Sequence, residues 1–64
     1  MNFKQIENII TKNKWKLIRI LGSNYQYRKA GHPDFIIIPN YGDYDIPTDV
    51  VKNLEKTTGL SLLR

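Results

Sequence analysis

Sixty-four residues with no cysteine, 41% of them hydrophobic and 25% charged, describe one small domain over residues 1–64 and leave no room for a second core. No apolar run approaches the roughly 20 residues that cross a bilayer, and the first residues lack the apolar stretch of a signal peptide, so a cytoplasmic chain with no membrane contact is expected. The net charge of +4 is unevenly spread: Lys4, Lys12, Lys14, Lys16, Arg19, Arg28 and Lys29 face only Glu7 in the first half, which favours a polyanionic partner, although basic surfaces also serve solubility.

A chain this short hides only about 60% of its extended surface on folding, so it packs economically or gains from a partner. Asn2 followed by Gln5 has the form of a capping box, and Phe3, Ile6, Ile9 and Ile10 recur at helical spacing, which predicts an amphipathic helix over about residues 3–12. Asn13-Lys14 ends it. Trp15 to Leu21 is rich in Trp, Ile and Leu and reads as a strand, and Gly22-Ser23 as a tight turn. From Asn24 to Lys29 the residues alternate, with Tyr25 and Tyr27 on one face and Asn24, Gln26 and Arg28 on the other, as in a half-buried strand. Ala30-Gly31-His32-Pro33 predicts a hairpin loop, and Phe35 to Ile38, closed by Pro39, is the run best suited to a central strand.

Asn40 to Pro47 is polar and rich in turn residues. Thr48 can then cap a second helix that carries Asp49 in its first turn, places Val50, Val51 and Leu54 on its apolar side and stops at Gly59, with Leu60 folding back on the last turn. The expected fold is α+β in the order α-β-β-β-α, with two helices on one face of a three-stranded antiparallel sheet and the other face open.

The chain reads Trp15, Arg19, Gly22-Ser23-Asn24-Tyr25-Gln26-Tyr27, Ile38-Pro39-Asn40-Tyr41-Gly42, Asp45-Ile46-Pro47 and Gly59-Leu60. In order and spacing this resembles the HicA, or YcfA-like, family across nearly the whole chain. That family's pattern opens its first strand on an aromatic residue and follows with a Gly-Ser-His turn. A Val/Ile-Pro segment, a His-containing turn, an Asp-Ile-Pro lead into the second helix and a closing Gly-Leu complete it. The resemblance implies a fold similar to the double-stranded RNA-binding domain, an mRNA-cleaving toxin activity without metal or cofactor, and a HicB-type antitoxin as partner.

Two departures bear on the chemistry. Asn24 stands at the family's catalytic histidine, and the turn after Pro39 reads Asn40-Tyr41, with a histidine at neither position. Metal-independent RNA cleavage needs a group that exchanges a proton near neutral pH, which imidazole does and a carboxamide does not. Asparagine still hydrogen-bonds a phosphate or a base, so retained binding with attenuated or absent cleavage is expected.

Lys14, Lys16, Arg19, Arg28 and Lys29, with Ser23 in the turn, are the candidate RNA contacts, read against the plainer alternative of a solvated surface. Tyr25 and Tyr27 could stack bases, but one alternating face of a strand in a small domain more often meets its own core, and Trp15 likewise reads as a core anchor. His32, the only histidine, reads as an exposed turn residue. Asp43, Asp45 and Asp49 lie where aspartate is common in turns and helix starts, so no metal site is expected. The leading function is an mRNA endoribonuclease toxin, attenuated or inactive at Asn24. The alternative is a non-catalytic module that binds RNA or the antitoxin, and a purely structural interaction protein comes third.

Overall fold

The computed structural model describes residues 1–63 and has the order α1 (Phe3–Lys12), β1 (Lys16–Leu21), β2 (Asn24–Arg28), β3 (Ile36–Pro39) and α2 (Thr48–Thr58). The three strands form one antiparallel sheet in the order β1-β2-β3. The expected α+β architecture is therefore present. No helix among the described residues is long and apolar enough to cross a membrane.

Local chemistry sets the ends of α1. Asn2 accepts from the Gln5 N–H at 3.0 Å, and the Gln5 side chain accepts from the Asn2 N–H at 2.9 Å, completing a reciprocal capping box. At the other end, the N–H of Trp15 donates to the Ile10 carbonyl and that of Lys14 to the Thr11 carbonyl. This is a Schellman closure, whose pivot takes a left-handed conformation usually supplied by glycine. Here the pivot is Lys14, at φ 75°. Because Trp15 spends its N–H on this closure, β1 begins at Lys16, one residue later than the apolar run suggests.

β1 and β2 meet through Gly22-Ser23, in which Gly22 alone takes a positive φ, as the first position of a II′ hairpin turn requires. The ladder pairs Leu21 with Asn24 and Ile20 with Tyr25, then Arg19 with Gln26. It slips at Ile18, and Leu17 then pairs with Tyr27 and Lys16 with Arg28. The slip is a bulge that lets one extra β1 residue pass without reversing the faces.

One core occupies one side of the sheet. Ile6 and Ile10 of α1, Val51 and Leu54 of α2, Tyr27 of β2 and Ile36 and Ile38 of β3 are buried in a single cluster with Phe3, Trp15, Ile46 and Leu62. Fully burying each such side chain contributes about 1.5–3 kcal/mol. Tyr25 packs at the margin of this cluster, its ring edge-on to Phe3 with centroids 4.7 Å apart, so both strand tyrosines belong to the core side. The buried Tyr27 hydroxyl donates to Glu7 Oε2 at 2.6 Å, and burial, helped by that carboxylate, pushes its pKa far above the usual phenol value.

Three expectations need correction. The central strand is β2, not the isoleucine run of β3. Two consecutive short hairpins put the middle strand of the sequence in the middle of the sheet, and β3 buries only Ile36 and Ile38 while Ile37 stays exposed on the open face. Thr48 does not cap α2: Pro47 is the cap residue, no side chain caps the helix, and the Pro47 carbonyl accepts from Val50 and Val51. Two contacts hold this lead-in: a bridge between Asn2 and Asp45, and a bond from the Ile46 N–H to the Met1 carbonyl at 2.9 Å. They accompany a cap at Pro47, one residue before the threonine, which becomes the first helical residue. His32, finally, is half-buried rather than an exposed turn residue.

At the C-terminal end Gly59 takes the left-handed cap at φ 73°, and Leu60 returns against the core as expected. The Glu55 carboxylate accepts from the N–H groups of Leu62 and Leu63 at 2.7 and 3.1 Å, which fixes the tail so that Leu62 is buried.

Candidate nucleic-acid interface

Residues opposite one another in a ladder share a face, so the register sorts the strand side chains into two sets. Tyr25 and Tyr27 face the helices. Asn24, Gln26 and Arg28 therefore look the other way, with Lys16 opposite Arg28, Arg19 opposite Gln26, and Leu21 and Pro39 flanking Asn24. Asn24, Lys16, Arg19 and Arg28 are all exposed on this uncovered face. At about 3.3 Å per residue, Asn24 and Arg28 stand roughly 13 Å apart along β2, with Arg19 between them on the neighbouring strand.

Ser23 is exposed in the turn at the Asn24 end. Lys14 and Lys29 lie outside the strands, at the opposite end of the sheet near the Lys16–Arg28 pair. Lys29 is half-buried, and its carbonyl closes the β2–β3 turn by accepting from the His32 N–H. The structure thus brings three of the five candidate cations onto one face with Asn24, and sets the other two at the rim.

Asn40 adjoins the same corner. Its N–H donates to the Ser23 carbonyl at 2.7 Å, while its side chain accepts from the Gly42 N–H at 2.9 Å. The two departures from the resemblance, Asn24 and the Asn40-Tyr41 turn, therefore adjoin one another across the β2–β3 pairing. Both present carboxamides, which donate and accept hydrogen bonds but do not exchange protons near neutral pH. A cleft of about 530 Å³ opens beside Asn40 and is lined by Lys4, Glu7 and Tyr25, but these belong to the helix side, across the sheet from Asn24.

His32 sits in the loop between β2 and β3, at the end of β2 away from Asn24. Its Nε2 lies 3.0 Å from the Thr57 carbonyl oxygen, its Nδ1 3.0 Å from the Asp34 carbonyl oxygen and 3.3 Å from the Asp34 amide nitrogen, and its ring 4.8 Å from that of Trp15. Both ring nitrogens are thus engaged, and the side chain ties a loop to a helix. Among the described residues no three acidic or histidine side chains gather as a metal-binding group.

Sequence reasoning passed over two exposed aromatics. Tyr41 and Tyr44, 46% and 82% exposed, flank Gly42-Asp43 in the loop that leaves the Asn24 corner. Their signal was an aromatic pair within a polar, turn-rich segment that supplies no core.

No curated protein matches the sequence. The family model of the HicA toxin of bacterial toxin-antitoxin pairs matches residues 3–60, which takes in both helices, all three strands and the Asn24 corner. The chain belongs to the HicA toxin family, and its setting is a toxin–antitoxin pair in which an antitoxin is its partner.

Proposed function

We propose that this chain is an mRNA-directed HicA toxin that binds RNA on the open face of its sheet, with cleavage attenuated by Asn24, and that a HicB-type antitoxin restrains it in the cytoplasm. The observation that carries the reading is the position of Asn24, exposed on the same face as Lys16, Arg19 and Arg28. A ribose-phosphate chain along that face meets cations at one end and a carboxamide where the family places its proton-transfer group. Losing one such group costs about 10²- to 10⁴-fold in rate, whereas hydrogen bonding and phosphate contact survive.

Two further features support binding. Lys14 keeps a long basic side chain at a backbone position that disfavours it, and strain of this kind concentrates at functional sites. Tyr41 and Tyr44 offer exposed rings at the Asn24 corner, where stacking on a base is worth about 1–3 kcal/mol. The likeness to double-stranded RNA-binding domains that the family implies belongs to the same proposal.

The second reading, a non-catalytic RNA-binding or antitoxin-binding module, is favoured by one observation: Asn24 and Asn40 are both carboxamides, so the corner offers no imidazole. Both readings share the RNA face, which a salt titration tests. Affinity for a mixed-sequence single-stranded RNA is expected to fall steeply with salt, and Arg19→Ala to reduce the slope of log K against log salt by about 0.7–1. Binding that is absent, or indifferent to salt, would remove the RNA face from the account.

A further inference from the structure

The edge of the sheet formed by β1 is the largest feature that the RNA face leaves unexplained. Every residue of β1 is exposed, and Leu17, Ile18, Ile20 and Leu21 are 44 to 58% exposed. These apolar side chains lie on both faces: Leu17 and Ile20 share the side of Tyr27 and Tyr25, and Leu21 shares that of Asn24. Phosphate and ribose gain nothing from them. A strand of another protein does, because strand addition joins backbone bonds to alternating side-chain contacts.

The register supplies the backbone half of that match. The Asn40 N–H donates to the Ser23 carbonyl, so along β2 the groups of Tyr25 turn toward β3 and those of Asn24 and Gln26 toward β1. Ile20, opposite Tyr25, is then in a non-hydrogen-bonded pair, and its N–H and carbonyl point outward from the free edge.

Charge selects the occupant. Lys16 and Arg19 lie on this edge, and the chain has no Asp or Glu from Asn8 to Pro33. A second copy of the chain would bring the same cations to the same edge, where like charges repel. An apolar strand carrying Asp or Glu answers both the side chains and the charge. We propose that the antitoxin docks by adding an acidic, apolar-alternating strand to β1, with its backbone pairing to Ile20. The added strand engages Lys16 and Arg19, and so competes with RNA for two of the cations on the open face. The antitoxin as partner follows from family membership; the competition alone rests on the proposed RNA face.

Hydrogen exchange on the unmodified chain, mixed with its purified cognate antitoxin, tests this. The Ile20 amide is expected to exchange rapidly in the free chain and in the presence of single-stranded RNA, and to become protected when the antitoxin is added. Ile20→Pro, which removes an outward N–H but no ladder bond, is expected to weaken antitoxin binding about tenfold or more and to leave RNA affinity unchanged. Antitoxin binding that leaves the Ile20 amide unprotected would overturn the proposal. So would protection by RNA, or protection that grows with the concentration of the chain alone. If the antitoxin protects Ile20 while no RNA binds under any salt, the docking stands and the RNA reading falls; RNA binding without protection of Ile20 by the antitoxin gives the reverse.

Discussion

The imidazole of His32 lies 3.0 Å from the carbonyl of Thr57, twenty-five residues along the chain, and so fastens the β2–β3 loop to the last turn of α2. The same ring packs beside the buried Trp15. A histidine so engaged, at the end of the sheet away from Asn24, is a structural clasp. His32→Ala is expected to destabilise the fold by about 1–3 kcal/mol, through the lost hydrogen bonds and the uncovered Trp15. Denaturant unfolding measures this. An unchanged midpoint together with altered RNA processing would return His32 to the functional site.

Lys14 turns the chain at φ 75° where the closure of α1 favours glycine. Lys14→Gly is expected to raise stability by about 0.5–1 kcal/mol, the relief of a left-handed side chain less the entropy glycine gains when unfolded. The same substitution is expected to weaken RNA binding by the loss of one phosphate contact, with a shallower salt dependence. Higher stability with unchanged RNA affinity would show that the strained lysine serves no RNA contact.

Glu55 gives the fold an acid-side dependence. Its bonds from the Leu62 and Leu63 amides hold its carboxyl below the usual carboxylate range. Above that range the group is ionised in the folded and unfolded chain alike, and its contribution is complete. As pH falls through the ordinary carboxylate value the unfolded chain takes up the proton first, so stability declines until the lower folded value is passed. Glu55→Gln is expected to start from a lower stability at neutral pH and to lose less over that acid window, as thermal melts at stepped pH would record. Parallel pH profiles for the two chains would contradict this.

How far these features could be read from the sequence depended on their range. The Asn2–Gln5 capping box and the Gly59 cap are local chemistry and were legible, as was the alternation that sends Tyr27 inward and Asn24 outward. The choice of central strand was not, because a run of three isoleucines looks doubly buried until pairing shows that Ile37 faces the open side. Pro47 displaced Thr48 as cap through contacts with Met1 and Asn2, nearly a chain length away. Lys14 gave no sign of its left-handed turn because the residue type argues against it, and the partner of His32 is set only by the packing of α2. The neighbourhood of Asn24 and Asn40 likewise emerges only from the β2–β3 register.

The proposed function requires the open face to present position 24 to the reacting ribose-phosphate. Asn24→His restores a group that exchanges a proton near neutral pH at that position. Incubated side by side with a labelled mRNA, the Asn24→His chain is expected to cleave about 10²- to 10⁴-fold faster than the unchanged chain, while the two bind RNA equally. Equal RNA binding with no gain in cleavage, from a variant that folds and melts like the parent, would contradict the account.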